Sequence, residues 1–134
     1  MILLDTQALV WLMQDDSRLG AEARRAEADH ADVVISAISL WEIALLTSRN
    51  RLVLPLPMNI WTDKVEQEAL IGTIPVTRAI AIDAGLLPQY DHRDPGDRIV
   101  LATARALACP VMTSDARMLD YAKAGHVQAT DARR

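Results

Sequence analysis

The sequence predicts an α/β fold, a mostly parallel sheet sandwiched by helices. Short continuous apolar runs, long enough only for strands, alternate with longer segments of helical spacing. Polar breaks separate them, and strands that alternate with helices close into a parallel sheet through crossover connections. At 134 residues the chain suits one domain, taken as residues 1–134.

The elements follow in order. Met1-Ile2-Leu3-Leu4 is a strand that stops at Asp5-Thr6, and Ala8, Leu9, Trp11 and Leu12 then recur with helical spacing. After the polar break Asp15-Asp16-Ser17, residues 21–30 are rich in Ala, Glu and Arg and read as a second helix. Val33-Val34-Ile35 is β-branched and continuous, as in a strand buried on both faces. Residues 36–39 turn the chain into a helix over about 40–48. That helix is apolar nearly all round (Leu40, Trp41, Ile43, Ala44, Leu45, Leu46), so core or a partner must bury it on several sides. Pro55 and Pro57 make residues 52–57 an extended linker. A helix around 61–70, a strand at 73–76 and a helix capped by Thr77 and running to about 87 come next. The polar loop 88–96 leads into an Ala-rich helix over 97–108 and a strand at 110–113. Asp115 opens a last helix that ends near Gly125.

Hydrophobic residues make up 51% and charged ones 24%, a globular composition that excludes a disordered chain. Phe is absent and aromatics are 4%, so the core is aliphatic, with Trp11, Trp41 and Trp61 as its large pieces. No apolar run reaches bilayer-spanning length, and no basic segment followed by an apolar stretch opens the chain. The single Cys109 excludes a disulfide framework and a thiolate metal site, and the protein reads as cytoplasmic. A net charge of −4 excludes a whole-surface grip on nucleic acid. It leaves room for a local basic patch, since 12 of the 14 cations are Arg, the side chain shaped for bidentate phosphate contacts.

Four acids stand at equivalent places. Asp5 ends the first strand and Asp115 follows the strand at 110–113; Glu42 lies in the first turn of the helix after Val33–Ile35, and Asp97 starts the helix to Ala108. In a parallel sheet the carboxyl ends of the strands share one edge, where ligands bind. Convergence there is costly: two carboxylates about 5 Å apart repel by roughly 3 kcal/mol at an effective dielectric near 20. A hard divalent cation such as Mg²⁺ or Mn²⁺ removes that cost and can activate water against a phosphodiester. Taken singly, each acid has a structural reading too. Ser39-Leu40-Trp41-Glu42 is a capping box, Asp94-Pro95-Gly96-Asp97 is a good helix start with Asp94 as cap, and Asp5 and Asp115 can each cap a helix.

Other chemistries find little support. The five glycines are scattered, with no phosphate-cradling loop, and His30, His92 and His126 lack metal-ligand spacing. No Gly-x-Ser-x-Gly turn supports a Ser–His–acid triad. A haloacid-dehalogenase-type phosphatase needs a second Asp where Gln7 stands. A receiver-like signalling module, the non-catalytic alternative, needs paired acids at the first strand and a late Lys; Leu4 precedes Asp5, and the lysines are Lys64 and Lys123.

Leu3-Leu4-Asp5-Thr6 with Trp11, then Ser36-Ala37-Ile38-Ser39-Leu40-Trp41-Glu42-Ile43, resemble the opening of PIN-domain toxins of the VapC type. His92-Arg93-Asp94-Pro95-Gly96-Asp97-Arg98 resembles their His-x-Asp-Pro-x-Asp-Arg segment, and Thr113-Ser114-Asp115 their closing Thr-x-Asp. The similarity, including the Arg51-to-Pro57 linker, spans essentially the whole chain; Gln7 and Gly96 depart from it without removing an acid. The resemblance implies a three-layer α/β/α fold and a Mg²⁺- or Mn²⁺-dependent endoribonuclease. It further implies a toxin restrained by an antitoxin whose tail occupies the active-site groove. The helix Leu40 to Leu46 and the Trp61 segment carry more apolar surface than one small sheet covers, so a homodimer, as in the resembled family, is expected. By position, Asp5, Glu42 and Asp97 are then the principal catalytic and metal-holding acids and Asp115 the fourth. Thr6 and Thr113 would support ligands or waters through their hydroxyls. Arg98 would contact phosphate or pair with a neighbouring acid, and Asp94 would cap its helix.

Overall fold

The computed structural model describes residues 1–134. Five parallel strands form the central sheet: β1 (Ile2–Leu4), β2 (Val33–Ser36), β3 (Gly72–Ile74), β4 (Val111–Thr113) and β5 (Ala129–Asp131), in the order β3-β2-β1-β4-β5. The helices are α1 (Thr6–Met13), α2 (Ala21–Asp29), α3 (Ala37–Ser48), α4 (Met58–Asp63), α5 (Arg78–Gly85), α6 (Pro95–Leu107) and α7 (Ala116–Lys123). A single π-type turn, Lys64–Glu68, continues α4, so the segment around 61–70 is a short helix and a widened turn rather than one helix.

The strands are apolar without alternation because helices cover both faces of the sheet. Ile2, Leu4, Val33, Ile35 and Met112 pack on one side with Trp11, Ile43, Trp61 and Val65. Leu3, Val34 and Val111 point the other way, into a second core with Ile80, Val100, Leu101 and Met118. The result is the three-layer α/β/α arrangement. The linker behaves as its prolines dictate: Leu52, Leu54 and Leu56 pack inward at every second position, while Val53 is 81% exposed.

Several expectations need correction. Trp41 is not a core residue; it is 57% exposed, whereas Trp11 and Trp61 are each 2% exposed. Helix α3 begins at Ala37, three residues earlier than expected, because the Ser36 hydroxyl accepts from the Ile38 N–H at 3.2 Å and caps it. Strand β5 has no counterpart among the expected elements; Ala129-Thr130-Asp131 lacks an apolar run, and only its pairing with Val111, Met112 and Thr113 makes it a strand.

Sheet order decides where a site forms. The chain runs outward from β1 through β2 to β3, then returns to place β4 on the other side of β1. The connections leave β1 and β4 in opposite directions, which opens a crevice at their carboxyl ends.

Candidate active site

Asp5 and Asp115 lie at that switch point. Strand β1 pairs with β4 through Leu3↔Val111 and Leu4↔Met112, and the Asp5 N–H donates to the Met112 carbonyl at 2.9 Å. This register sets Asp5 beside Thr113, whose hydroxyl donates to Asp5 Oδ2 at 2.7 Å. Asp5 Oδ1 accepts from the Thr6 N–H at 2.8 Å, capping α1. Thr113 Oγ1 in turn accepts from the Asp115 N–H at 3.0 Å. Asp115 caps α7, taking the N–H groups of Arg117 (2.8 Å) and Met118 (3.2 Å) on Oδ1. Capping and clustering are therefore the same geometry here, not rival readings.

Glu42 sits in the second turn of α3, not the first. No capping box forms, because Ser39 is inside the helix and fully buried. Thr6 Oγ1 instead stands 2.8 Å from Ser39 Oγ and 2.8 Å from Glu42 Oε1. A hydroxyl has one proton and an ionised carboxylate only accepts, so Thr6 donates to Glu42 and Ser39 supplies the other hydrogen bond. Asp97 is in the first turn of α6, and Asp94 caps that helix by accepting the Asp97 N–H at 2.9 Å.

The electrostatics are those of anions crowded together. Each ion pair in the structure engages other acids; Asp5, Glu42, Asp97 and Asp115 have no cationic partner. Burial, and then the charges of Asp5, Asp94, Asp115 and Glu42, push Asp97 up to about 7. Burial raises Asp5 as well, against the opposing hydrogen bonds of Thr113 and Thr6. Glu42 is raised by burial, with Thr6 opposing. The donors are all hard oxygens, which suits Mg²⁺ or Mn²⁺. They do not close into a finished cage, since no three His, Cys, Asp or Glu side chains have metal-holding spacing. An ion that keeps several of its waters tolerates such an open edge.

Arg98 neither pairs with an acid nor points to the crevice edge. It donates to the carbonyls of Ala84 (2.7 Å), Tyr90 (2.8 Å), His92 (2.8 Å) and Gly85 (3.4 Å), tying the 88–94 loop to the end of α5. Four of its five N–H groups are thereby used, leaving little for a phosphate. Two neighbours of the acids lie outside the expected site: Ser39, which the sequence marks only as a cap, and Tyr90, which has no signal of its own. Ser39 stands behind Thr6 as noted, and Tyr90, 6% exposed, carries a buried hydroxyl with no hydrogen-bond partner.

The PIN domain family matches residues 2–124 of this chain. Ribonuclease VapC22 of Mycobacterium tuberculosis is 31% identical over 121 residues, covering 90% of this chain and 91% of that protein. Among solved structures, FitAcB from Neisseria gonorrhoeae superposes with a TM-score of 0.69 at 21% identity, covering 98% of each chain. VapBC2 from Rickettsia felis, bound to a DNA fragment from its promoter, gives a TM-score of 0.68 at 15% identity over 97% of this chain and 98% of that one. A toxin-antitoxin complex from Klebsiella pneumoniae gives 0.65 at 21% identity over 98% of each. With the family model matching residues 2–124, nearly the whole of this chain, the chain belongs to the PIN-domain family.

Proposed function

We propose that this protein is a Mg²⁺- or Mn²⁺-dependent endoribonuclease that acts as the toxin of a toxin–antitoxin pair. The observation that carries the reading is the convergence of Asp5, Glu42, Asp97 and Asp115 at one sheet edge with no cation to balance them. The names of the Mycobacterium tuberculosis and Klebsiella pneumoniae relatives support it.

Asp5 and Asp97 are the principal holders of the cation, with Glu42 and Asp115 completing the set. When bound, the ion polarises a phosphoryl oxygen and acidifies water. The protein does the rest by position. Thr113 and Thr6 fix the rotamers of Asp5 and Glu42 through their hydroxyls. Glu42 and Asp115 accept hydrogen bonds from the attacking water and keep it in line with the phosphodiester. A receiver-like signalling module fares worse: Lys64 pairs with Glu68 and Lys123 with Asp120, so neither lysine serves the acids.

The same reading includes a cytoplasmic site of action, a homodimer and an antitoxin partner. No helix is long and apolar enough to cross a membrane. Ile82 and Leu86, one turn apart at the end of α5, are 55% and 73% exposed and supply an apolar face for a second copy. Trp41 and the neighbouring half-buried residues of α3 supply one for an antitoxin, whereas Trp61 belongs to the core and contributes to neither. The test is incubation of purified, partner-free protein with RNA, with Mn²⁺ or with EDTA. Cleavage only with Mn²⁺ is expected; full activity in EDTA, or no cleavage in either, overturns the proposal. Sedimentation with and without antitoxin reads the assembly, and a monomer throughout contradicts the dimer.

A further inference from the structure

A cavity of about 270 Å³ opens between the 88–94 loop and α7, lined by Gln89, Tyr90, His92, Arg117, Tyr121 and His126. None of the four acids lines it, but Tyr90 in its wall stands close enough to Asp97 and Asp115 to feel their charges. Arg117 follows Asp115 by two residues and gives it a backbone hydrogen bond, and His92 precedes the helix cap Asp94 by two. Three larger cavities, about 540, 620 and 320 Å³, lie elsewhere, at the ends of α6 and α7, along the segment running into β5, and against the 52–58 linker.

The walls of the small cavity are aromatic and held in place. The His126 and Tyr121 rings stack with centres 4.5 Å apart and planes at 20°. Tyr90 meets His92 edge-on at 5.1 Å and Tyr121 at 4.9 Å. Tyr121 donates its hydroxyl to the Pro88 carbonyl at 2.6 Å, and His126 Nε2 lies 3.2 Å from Gln89 Oε1. Arg117 is exposed and pairs with no acid. The Tyr90 hydroxyl is a buried donor with nothing to donate to. Burial first, then the charges of Asp97 and Asp115, raise its pKa and keep it protonated. Asp91 and Asp120 also border the opening and would repel a free anion, so the cavity suits a flat, uncharged group better than a phosphate alone.

We propose that this cavity is a nucleotide subsite for single-stranded RNA, seating the base beside the scissile phosphate against the half-exposed His92 and His126 rings, which Tyr90 and Tyr121 back, while Arg117 holds that nucleotide's phosphate. The proposal rests on the RNA-cleaving reading of the four carboxylates. Unpaired bases stack on aromatic and His rings with little regard to sequence, and a base held in a duplex cannot enter a cavity of this size.

The experiment uses the Asp97→Asn protein, so that substrate survives, and a fluorescein-labelled single-stranded RNA read by anisotropy across a salt series. His92→Ala and His126→Ala are expected to weaken binding about tenfold each, and Arg117→Gln to flatten the log–log salt slope by about 0.7, one phosphate contact. Without Asp97→Asn, the same substitutions should raise KM in Mn²⁺ and leave kcat within about twofold. Circular dichroism melts show whether His126→Ala folds, and His92→Ala carries the test if it does not. Binding and slope unchanged in these variants, no RNA binding by the Asp97→Asn protein, or duplex bound as tightly as single strand would each overturn the subsite. The two readings fail separately: a protein that cleaves RNA while its subsite variants bind normally loses only the subsite. One that binds RNA through the subsite yet never cleaves loses only the nuclease.

Discussion

Gly96 lies against the carboxylate of Glu42: a Cβ at position 96 would stand 2.7 Å from Glu42 Cδ and 2.8 Å from each carboxyl oxygen. The first turn of α6 can therefore come close to α3 only because residue 96 has no side chain. Gly within a helix normally costs up to about 1 kcal/mol relative to Ala, so helix propensity alone favours replacing it. Gly96→Ala is expected to move Glu42 and lower RNA cleavage at least tenfold without a gain in Tm. Gly85→Ala, which meets nothing within 4 Å, is the control and should leave activity unchanged. Full activity in Gly96→Ala would separate Glu42 from the chemistry.

Thr113 holds Asp5 and the Asp115 backbone through one hydroxyl. Thr113→Val keeps the shape and removes both bonds. A hydrogen bond to a charged group contributes about 1.5–3 kcal/mol, so chemical denaturation should show a loss of that order. Losing the Thr113 bond also leaves the burial of Asp5 less opposed, which moves its pKa further up. The acid limb of the pH–rate profile should shift to higher pH, and an unshifted limb would argue against Asp5 as an ionised catalytic group.

Asp97 has its pKa raised from 3.8 to about 7. A raised carboxyl means that the folded state binds the proton more tightly than the unfolded state. The associated stability is full below about pH 4 and is lost as pH rises through about 7. Metal-free protein should thus lose Tm between pH 5 and pH 8 on account of this site. Mn²⁺ should raise Tm more at pH 8 than at pH 5, because protons compete with the cation for the same oxygens. Scanning calorimetry at both pH values checks the sign, and a larger Mn²⁺ effect at pH 5 would reverse it.

Arg98 is a structural tie. Lys offers a point charge instead of a planar fork and cannot reach four carbonyls at once. Arg98→Lys should cost about 2–4 kcal/mol in a urea melt, the loss of several charge-assisted bonds. The salt dependence of RNA binding should not change, and a flattened slope would return Arg98 to the phosphate.

Much of the fold and of the acidic cluster is legible in the amino-acid sequence. The runs Ile2–Leu4 and Val33–Ile35 announce buried parallel strands, and Asp5 and Asp115 announce themselves by following strands. The remainder depends on tertiary context. Helix α3 is apolar all round, so its sequence does not say that Trp41 faces outward and Ile43 inward. Ser36 and Ser39 are equally good caps by composition, and the chain takes Ser36 because β2 runs to that residue. The target of Arg98 depends on how the 88–94 loop folds back, and no local pattern encodes that. By motif alone Gly96 is a mere departure from the resembled segment; its purpose lies in the packing of Glu42, distant in sequence, against it.

The central claim is that the four carboxylates form one divalent-cation site, and Mn²⁺ binding measured by calorimetry at pH 7.5 tests it apart from catalysis. Wild-type protein should bind Mn²⁺, Asp5→Asn and Asp97→Asn should each weaken binding at least tenfold, and Asp94→Asn, which alters the α6 cap and removes a neighbouring charge but no proposed cation holder, should weaken it less than either. Wild-type protein that binds no Mn²⁺, or Asp5→Asn and Asp97→Asn proteins that bind it as well as wild type, would contradict the claim.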